Sequence, residues 1–262
     1  MGYYLTDTES HIHRKEQINN YQGVAWYALG FTVPAALSEK HSWLQFDAVS
    51  RTAKVWLNGK FLGEHRGGFS RFRLEVTDAL KFGEENTLVV KVDNSAPKFG
   101  STTADTLPLH GDFFIHGGLY RPVSLIATDS VHIDMMDFGG PGIYATTEAI
   151  KHNKATINVF ARLKNDGTTS SKFTARTILL DTAGKSVAET TRSIILEKET
   201  ATEFSAMLTV ANPHLWQGTA DPYLHQLVVE LVDATGIVLD RVEQPLGIRQ
   251  IRVDPDQGFM LN

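Results

Sequence analysis

The hydropathy of this chain alternates with a period of two over most of its length, and no segment of helical length repeats every 3.6 residues. Runs such as 26–33 (WYALGFTV), 43–49 (WLQFDAV) and 72–76 (FRLEV) are rich in aromatic and branched residues. Successive side chains of a strand point to opposite faces, so runs of this kind build sheets with one buried face. The sequence therefore predicts an all-β protein.

Asn58-Gly59 lies between two of these alternating runs. A two-residue type I′ turn needs a positive φ at both central positions, and Asn-Gly meets that need best, so we expect a hairpin here. Asp78 opens the sequence DALK, for which we expect one helical turn with Asp78 as its N-cap. Gly67-Gly68 is expected to form a bulge or a tight corner, since no helix follows it.

Three tryptophans, Trp26, Trp43 and Trp56, fall inside the strand patterns of the first half. Burial in the core is the usual fate of such side chains. We therefore expect all three in the core rather than on a sugar-stacking surface.

The second half of the chain has a different spacing of strands and turns. Six alternating runs between residues 155 and 247 are separated by turn sequences such as Asn165-Asp166-Gly167 and Thr235-Gly236. Together with a strand expected at 131–138, they give about seven strands, the number expected of an immunoglobulin-like sandwich. The boundary between the two halves is expected near Asp129-Ser130.

Residues 107–125 (LPLHGDFFIHGGLYRPVSL) join a patternless stretch to a further strand. Asp112 lies beside two phenylalanines, with His110 and His116 nearby. A carboxylate accepts hydrogen bonds from neighbouring hydroxyls and aromatic rings match the apolar face of a sugar, so this stretch has the chemistry of a sugar contact. The alternative for Asp112 is a carboxylate that caps backbone N–H groups. His110, Asp112 and His116 are also ordinary metal ligands, but their spacing matches no known signature, and no metal site is predicted.

Composition narrows the function classes. The net charge of −5 gives no reason to expect nucleic acid or an anionic membrane as a partner. No apolar run approaches the roughly 18 residues of a membrane span. There is no cysteine, so redox chemistry does not indicate a compartment. The chain start lacks an export signal pattern, and we expect a soluble protein of the cytoplasm or, if a signal was removed, of the bacterial periplasm. No cofactor is expected.

Several stretches, in this order, resemble the family 2 glycoside hydrolases, which are β-galactosidases, β-glucuronidases and β-mannosidases. The stretches are VWLNGKFLGEHRGGFSRFRLEVTDAL, EENTLVVKVDNS, DFFIHGGLYRPVSLI, NPHLWQGTADPYLHQLVVEL and LGIRQIRVDPDQGFMLN. The resemblance implies an N-terminal jelly-roll sugar-binding domain at 1–129 and an immunoglobulin-like β-sandwich at 130–250. Residues 251–262 would be a linker and the first hairpin leading to a (β/α)8 barrel.

In that family both catalytic glutamates belong to the barrel. Retaining hydrolysis needs two carboxyl groups about 5–5.5 Å apart on either side of one bond. The chain shows no strand–helix alternation of a barrel. We therefore expect no catalytic residue here and no glycoside hydrolysis by the chain alone; its partners would be the barrel and, in the full-length enzyme, a β-glycoside.

The resemblance also assigns site residues. Asp112 matches an aspartate that reaches from the jelly-roll into the barrel's pocket and contacts sugar hydroxyls. Ser50 stands where some β-galactosidases carry a sugar-contacting asparagine, and it is the shorter side chain. His116 is the third candidate for substrate binding. Arg121 and Trp216 match family positions for which we expect structural roles.

Two functions from different classes follow. The first is the non-catalytic N-terminal portion of a β-glycosidase, closest to the β-galactosidases, which braces the barrel and lends it Asp112. The second is a free-standing carbohydrate-binding module that recognises glycans on its own jelly-roll surface. The glycoside cleaved stays open among galactoside, glucuronide and mannoside, because substrate choice lies mostly in the barrel.

Overall fold

The computed structural model describes residues 21–101, 103, 104 and 116–262. Within these ranges the chain forms strands and only two helical turns, both 3-10, at Ala35–Leu37 and Thr77–Ala79. The prediction of an all-β protein is confirmed. The chain divides into two compact units, one of residues 1–127 and the other of residues 128–262.

The first unit is a jelly-roll sandwich of two antiparallel sheets. One sheet has the order β1-β6-β3-β4 and the other has the order β5-β2-β7. Leu44 and Phe46 from one sheet pack with Val55, Leu57 and Val90 from the other in a single core. The strands are β1 (Val24–Thr32), β2 (His41–Phe46), β3 (Thr52–Leu57), β4 (Lys60–Arg66), β5 (Phe72–Glu75), β6 (Glu85–Asp93) and β7 (Val123–Thr128).

The β3–β4 hairpin turns at Asn58-Gly59, as predicted. Asn58 has a φ of 51° and Gly59 a φ of 81°. The Asn58 amide also donates to the carbonyl of Ala79 at 2.8 Å and accepts from the Thr87 amide at 2.9 Å. Asparagine therefore suits this position twice, because it tolerates a positive φ and its side chain joins the turn to two other segments.

The expected N-cap at Asp78 is wrong. The turn Thr77–Ala79 is a 3-10 turn that begins after Val76, so Asp78 lies inside it, and no side chain caps it. Thr77 instead accepts a hydrogen bond from the Ser42 amide at 2.9 Å. The turn is thus held by a strand neighbour rather than by its own acidic residue.

The tryptophans do not share one environment. Trp43 is buried at 1% exposure, as predicted, whereas Trp26 is 60% exposed and Trp56 is half-buried. The expectation is wrong for Trp26 and Trp56 because of the phase of their strands. Tyr27 of β1 and Val55 and Leu57 of β3 pack in the core, which turns both tryptophans to the outer face of the sheet.

The second unit is an immunoglobulin-like sandwich. One sheet is β13-β10-β8 with β9 paired to β10, and the other is β12-β11-β14-β15. Ile157, Leu163, Phe173, Phe204 and Leu227 form the centre of its core. The strands are β8 (Val131–Ile133), β9 (Ile143–Lys151), β10 (Lys154–Asn165), β11 (Ser171–Leu180), β12 (Ser186–Leu196), β13 (Thr200–Ala211), β14 (His225–Val232) and β15 (Val238–Leu246).

Two details of this sandwich differ from the prediction. Strand β9 was not expected, because its Thr-rich sequence leaves few alternate positions buried. The strand expected at 131–138 ends already at Ile133. After the sandwich, β16 (Ile251–Asp254) and β17 (Gly258–Leu261) form a separate two-stranded hairpin.

Trp216 is a structural residue of the second unit, as expected. Its amide donates to the carbonyl of Ile248 at 2.9 Å, and Arg249 lies 4.7 Å from the ring centroid. A Cβ on Gly247 would come within 3.0 Å of the Trp216 side chain, so the glycine allows the close packing. In the part of the chain that the structure describes, no helix is long and apolar enough to span a membrane.

Candidate functional site

The stretch that contains Asp112 is described only at its two ends. His110 and Asp112 lie outside the described residues. On the N-terminal side the chain turns through Lys98, Ser101 and Ala104, where Ser101 donates its amide to the carbonyl of Lys98 at 2.9 Å. On the C-terminal side His116 is exposed and leads into Gly117 and Gly118. The candidate site therefore consists of the residues that contact these two ends.

Ser50 and Gly118 hold the C-terminal end through a two-way backbone bridge. The Ser50 amide donates to the Gly118 carbonyl at 3.0 Å, and the Gly118 amide donates to the Ser50 carbonyl at 2.8 Å. Ser50 follows strand β2 and precedes β3, so it belongs to the rigid sandwich. The bridge brings two segments together that each carry a predicted site residue, Ser50 in one and His116 in the other.

Glycine is needed at both positions of the Gly117-Gly118 pair. A Cβ on Gly117 would lie 2.2 Å from Asn94 Nδ2. A Cβ on Gly118, whose φ is +86°, would lie 2.3 Å from the Tyr27 hydroxyl. Only residues without a side chain allow the segment to approach β1 and the end of β6 this closely.

The side chain of Asn94 binds the backbone of the segment that precedes β1. Its side-chain oxygen accepts from the Gly23 amide at 2.7 Å, and its side-chain nitrogen donates to the Tyr21 carbonyl at 2.9 Å. The oxygen and the nitrogen of the amide are thus both bound to backbone groups of the residues just before β1. Asn94 was not singled out from the sequence, although its place directly after a strand that reads LVVKVD is a usual one for an asparagine that binds backbone.

Gly67-Gly68 closes the other side of Ser50. The pair forms the corner between β4 and β5, in line with the predicted corner, and the Gly67 amide donates to the Arg51 carbonyl at 2.9 Å. The Tyr120 hydroxyl donates to the Gly68 carbonyl at 2.5 Å. The corner is therefore fastened to the segment that follows Gly118.

The Ser50 side chain is enclosed in this arrangement. It is fully buried, and its Oγ has no hydrogen-bond partner among the described residues. A Cβ on Gly68 would lie 3.4 Å from that Oγ. A hydroxyl carries one donor and two acceptor lone pairs, so Ser50 keeps an unused capacity at the base of the Asp112 segment.

Arg51 brings a positive charge to the same place, and sequence reasoning missed it. The side chain is buried, and that burial lowers the pKa of its guanidinium, which nearby Asp93 opposes. Arginine stays charged under these conditions. The candidate site therefore combines a buried cation with the Ser50–Gly118 bridge. Arg121, in contrast, is exposed and lies 5.7 Å from the ring of its neighbour Tyr120.

No metal centre competes with this arrangement in the described ranges, where no three histidine, aspartate or glutamate side chains lie close enough to hold an ion. Of the three predicted site residues, the structure describes Ser50 and His116, whose segments the Ser50–Gly118 bridge joins. The position of Asp112 stays a prediction.

Comparison with known proteins gives the family. Residues 6–129 match the family model described as glycosyl hydrolases family 2, sugar binding domain, and residues 131–249 match the one described as glycosyl hydrolases family 2. A β-glucuronidase of Bacteroides fragilis is 33% identical over 94% of this chain. The chain belongs to glycosyl hydrolase family 2.

Two other family 2 proteins are also similar to this chain. A β-galactosidase of Bacteroides ovatus is 33% identical over 92% of the chain. The crystal structure of a Bacteroides uniformis β-glucuronidase superposes with a TM-score of 0.83 at 30% identity, again over 92% of the chain. The chain spans 34%, 26% and 28% of the lengths of these three proteins, so it corresponds to about a third of each or less. The family predicted from the motifs is confirmed.

Proposed function

We propose that this chain is the non-catalytic N-terminal portion of a retaining β-glycosidase. The observation that carries the proposal is the extent of the family matches: two N-terminal domain models cover the chain, and relatives described as β-glucuronidases and β-galactosidases extend well beyond it. In this proposal the jelly-roll unit is residues 1–129, the immunoglobulin-like unit is residues 130–250, and both brace a catalytic barrel.

The first unit lends Asp112 to the sugar pocket of that barrel. The carboxylate accepts hydrogen bonds from two adjacent sugar hydroxyls and so fixes the sugar beside the two catalytic carboxyl groups of the barrel. The bridge between Ser50 and Gly118 supports this role, because it anchors the chain six residues after Asp112 to the sandwich. A group that orients a substrate gains from such a rigid support.

Ser50 and His116 complete the substrate contacts of this unit. Ser50 acts through its Oγ, which has no hydrogen-bond partner among the described residues, and through its backbone bridge to Gly118. His116 is exposed four residues after Asp112 and offers a ring nitrogen to the same sugar.

The hairpin of β16 and β17 supports the proposal of a further domain. Its two strands pair Ile251 with Leu261 and Val253 with Phe259, so these four apolar side chains share one face. Ile251, Val253 and Phe259 are exposed. A two-stranded hairpin with an uncovered apolar face gains stability when another element packs on it.

The proposal is tested by restoring a barrel. The chain alone and a chimera, in which the chain replaces the matching N-terminal part of the Bacteroides fragilis β-glucuronidase, are assayed with nitrophenyl β-galactoside, β-glucuronide and β-mannoside. We expect no turnover by the chain alone and turnover of at least one glycoside by the chimera. Turnover by the purified chain alone would refute the non-catalytic role. A folded chimera without activity would refute the bracing role.

A further inference from the structure

We propose that the outer face of the first sheet carries a second glycan-binding surface that takes sugar chains bearing carboxylate groups. The surface consists of Trp26, Trp56 and Phe61, which we call the aromatic row, together with Lys54 and Lys91. Trp26 and Phe61 are exposed, and Trp56 lies between them, 5.6 Å from the ring of Trp26 and 5.3 Å from that of Phe61. The proposal goes beyond the role of Asp112 and does not depend on it.

The sheet fixes the aromatic row in place. Trp26 is on β1, Trp56 on β3 and Phe61 on β4, in the sheet of order β1-β6-β3-β4, so the row crosses all four strands. Alternate residues on β3 and β6, such as Val55 and Val90, are buried in the core below. The strands that carry the rings are therefore held by a packed core, and little conformational entropy is lost when a ligand stacks on the rings.

Lys91 occupies the middle of this surface. It is paired in register with Trp26 on one side and with Lys54 on the other. Its ammonium lies 5.7 Å from the Trp26 ring centroid, within the range of a cation–π contact. Two lysines directly opposite on neighbouring strands repel one another, so an additional negative charge that binds beside Lys91 is stabilising.

The two lysines differ in their ion pairing. Lys54 pairs with Glu64 at 3.3 Å, whereas Lys91 forms no ion pair with any residue that the structure describes. An anion that binds beside Trp26 therefore meets a cation whose charge is not already neutralised. Glu64 and Asp93 flank the lysines, which favours a ligand with isolated carboxylates over a dense polyanion such as a nucleic acid.

The lysines also argue against a covering protein domain. The buried centres of protein–protein interfaces are poor in lysine and rich in aromatic residues, because a charged group there loses its hydration. Here Lys91 lies on β6 directly beside Trp26, between the strands that carry Trp26 and Trp56. A sugar chain suits this mixture, since its C–H faces stack on the rings while its carboxylates and hydroxyls stay hydrated and reach Lys91 and the indole N–H groups.

Calorimetric titration of the 262-residue chain tests the proposal, with tetragalacturonate as the acidic probe and cellotetraose as the neutral one. We expect tetragalacturonate to bind more tightly than cellotetraose, and Trp26→Ala to weaken its binding about tenfold, as truncation of an aromatic anchor does. Trp26→Tyr should retain most of the affinity. Lys91→Gln should remove the preference for the acidic chain. Phe99→Ala is the matched control, because Phe99 is fully exposed in the same unit but outside the sheet.

Four results with the tetrasaccharides and the Trp26 variant would overturn the proposal, and a fifth concerns Asp112. The first four are no binding of either tetrasaccharide, equal binding of both, binding that Trp26→Ala leaves unchanged, and self-association that Trp26→Ala abolishes without any glycan binding. The last would make the surface a protein interface. An Asp112→Asn variant separates the two sites: unchanged binding supports the aromatic row, whereas lost binding would place the ligand at the Asp112 segment and contradict the row.

Discussion

The backbones of Ser50 and Gly118 exchange two hydrogen bonds, at 3.0 Å and 2.8 Å, and so join the connection between strands β2 and β3 to the segment that carries Asp112. The bridge depends on two residues without a side chain, Gly117 and Gly118, which fit against Asn94 and Tyr27. The rigidity of the candidate site therefore rests on a few close backbone contacts rather than on charged pairs.

Gly118→Ala should lower the free energy of unfolding by about 3 kcal/mol, because a positive φ and a clash with the Tyr27 hydroxyl add together. Urea denaturation followed by circular dichroism measures the change. Gly59→Ala is the matched control: its φ is also positive, but nothing lies within 4 Å of the added Cβ. That variant should lose only about 1 kcal/mol.

Tyr27→Phe should rescue part of the Gly118→Ala loss, since it removes the oxygen that the new methyl group meets. The pair would then show a favourable coupling of about 1 kcal/mol in a double-mutant cycle. If the two changes add without coupling, the contact between Gly118 and Tyr27 does not decide the local packing.

Glu230→Gln should destabilise the second unit by about 2–3 kcal/mol. Glu230 is 2% exposed, and its carboxylate binds both Arg176 and Arg241. The amide keeps the shape but loses the charge that both guanidinium groups share. Thermal unfolding gives the comparison with Glu243→Gln, which removes the exposed partner of Arg241 and should change stability by less than about 1 kcal/mol.

His132 should make the second unit less stable in acid. Its ring is buried, and burial lowers the pKa of the imidazole despite the opposing effect of Asp166 and Asp240. Below the ordinary histidine pKa of about 6.5, the unfolded chain binds a proton here that the folded chain does not. The stability present above that pH is therefore lost as the pH falls, by up to about 1.4 kcal/mol per pH unit.

The pH dependence can be assigned to His132 by substitution. Chemical denaturation at several pH values between about 7.5 and 5.5 should show a shallower loss for His132→Gln than for the unchanged chain. Burial also lowers the pKa of His65 and His225, so some acid sensitivity should remain. His214→Gln is the control, because His214 is exposed on the surface, where its ring nitrogen lies 2.7 Å from Asp221 Oδ2. Equal slopes for the His132 variant and the unchanged chain would contradict the assignment.

The apolar face of the β16–β17 hairpin should make the isolated chain self-associate. Val253→Ser and Phe259→Ser should each shift light scattering toward the monomer, with little change in melting temperature, because both side chains are exposed. Ile195→Ser removes an equally exposed apolar residue from β12 and should leave the association unchanged. If the chain stays monomeric at high concentration, the prediction that this apolar face drives self-association is wrong.

Local chemistry made part of the structure predictable. Asn58-Gly59 specifies its turn by itself, since few other pairs adopt two positive φ values. The period of two identified the strands, but it does not say which alternate set faces the core, and Trp26 and Trp56 were therefore placed on the wrong side. Strand β9 was missed because its polar, Thr-rich sequence carries little alternation.

The candidate site was predictable only in its parts. The motif at 112–126 drew attention to Asp112 and His116, and the family resemblance added Ser50. That Ser50 pairs with Gly118, and that Asn94 and Tyr27 require the glycine pair, depends on contacts between distant segments, which no local pattern encodes. Arg51 was missed for the same reason, because its burial results from the surrounding strands.

The central claim is that Asp112 belongs to the sugar pocket of a β-glycosidase. Its most direct test is the ratio kcat/KM of the chimera described above, compared with its Asp112→Asn and Asp78→Asn variants. We expect Asp112→Asn to lower kcat/KM about 100-fold, which corresponds to about 2.7 kcal/mol of transition-state binding, and Asp78→Asn to leave it unchanged. An Asp112→Asn chimera as active as its parent would contradict the account.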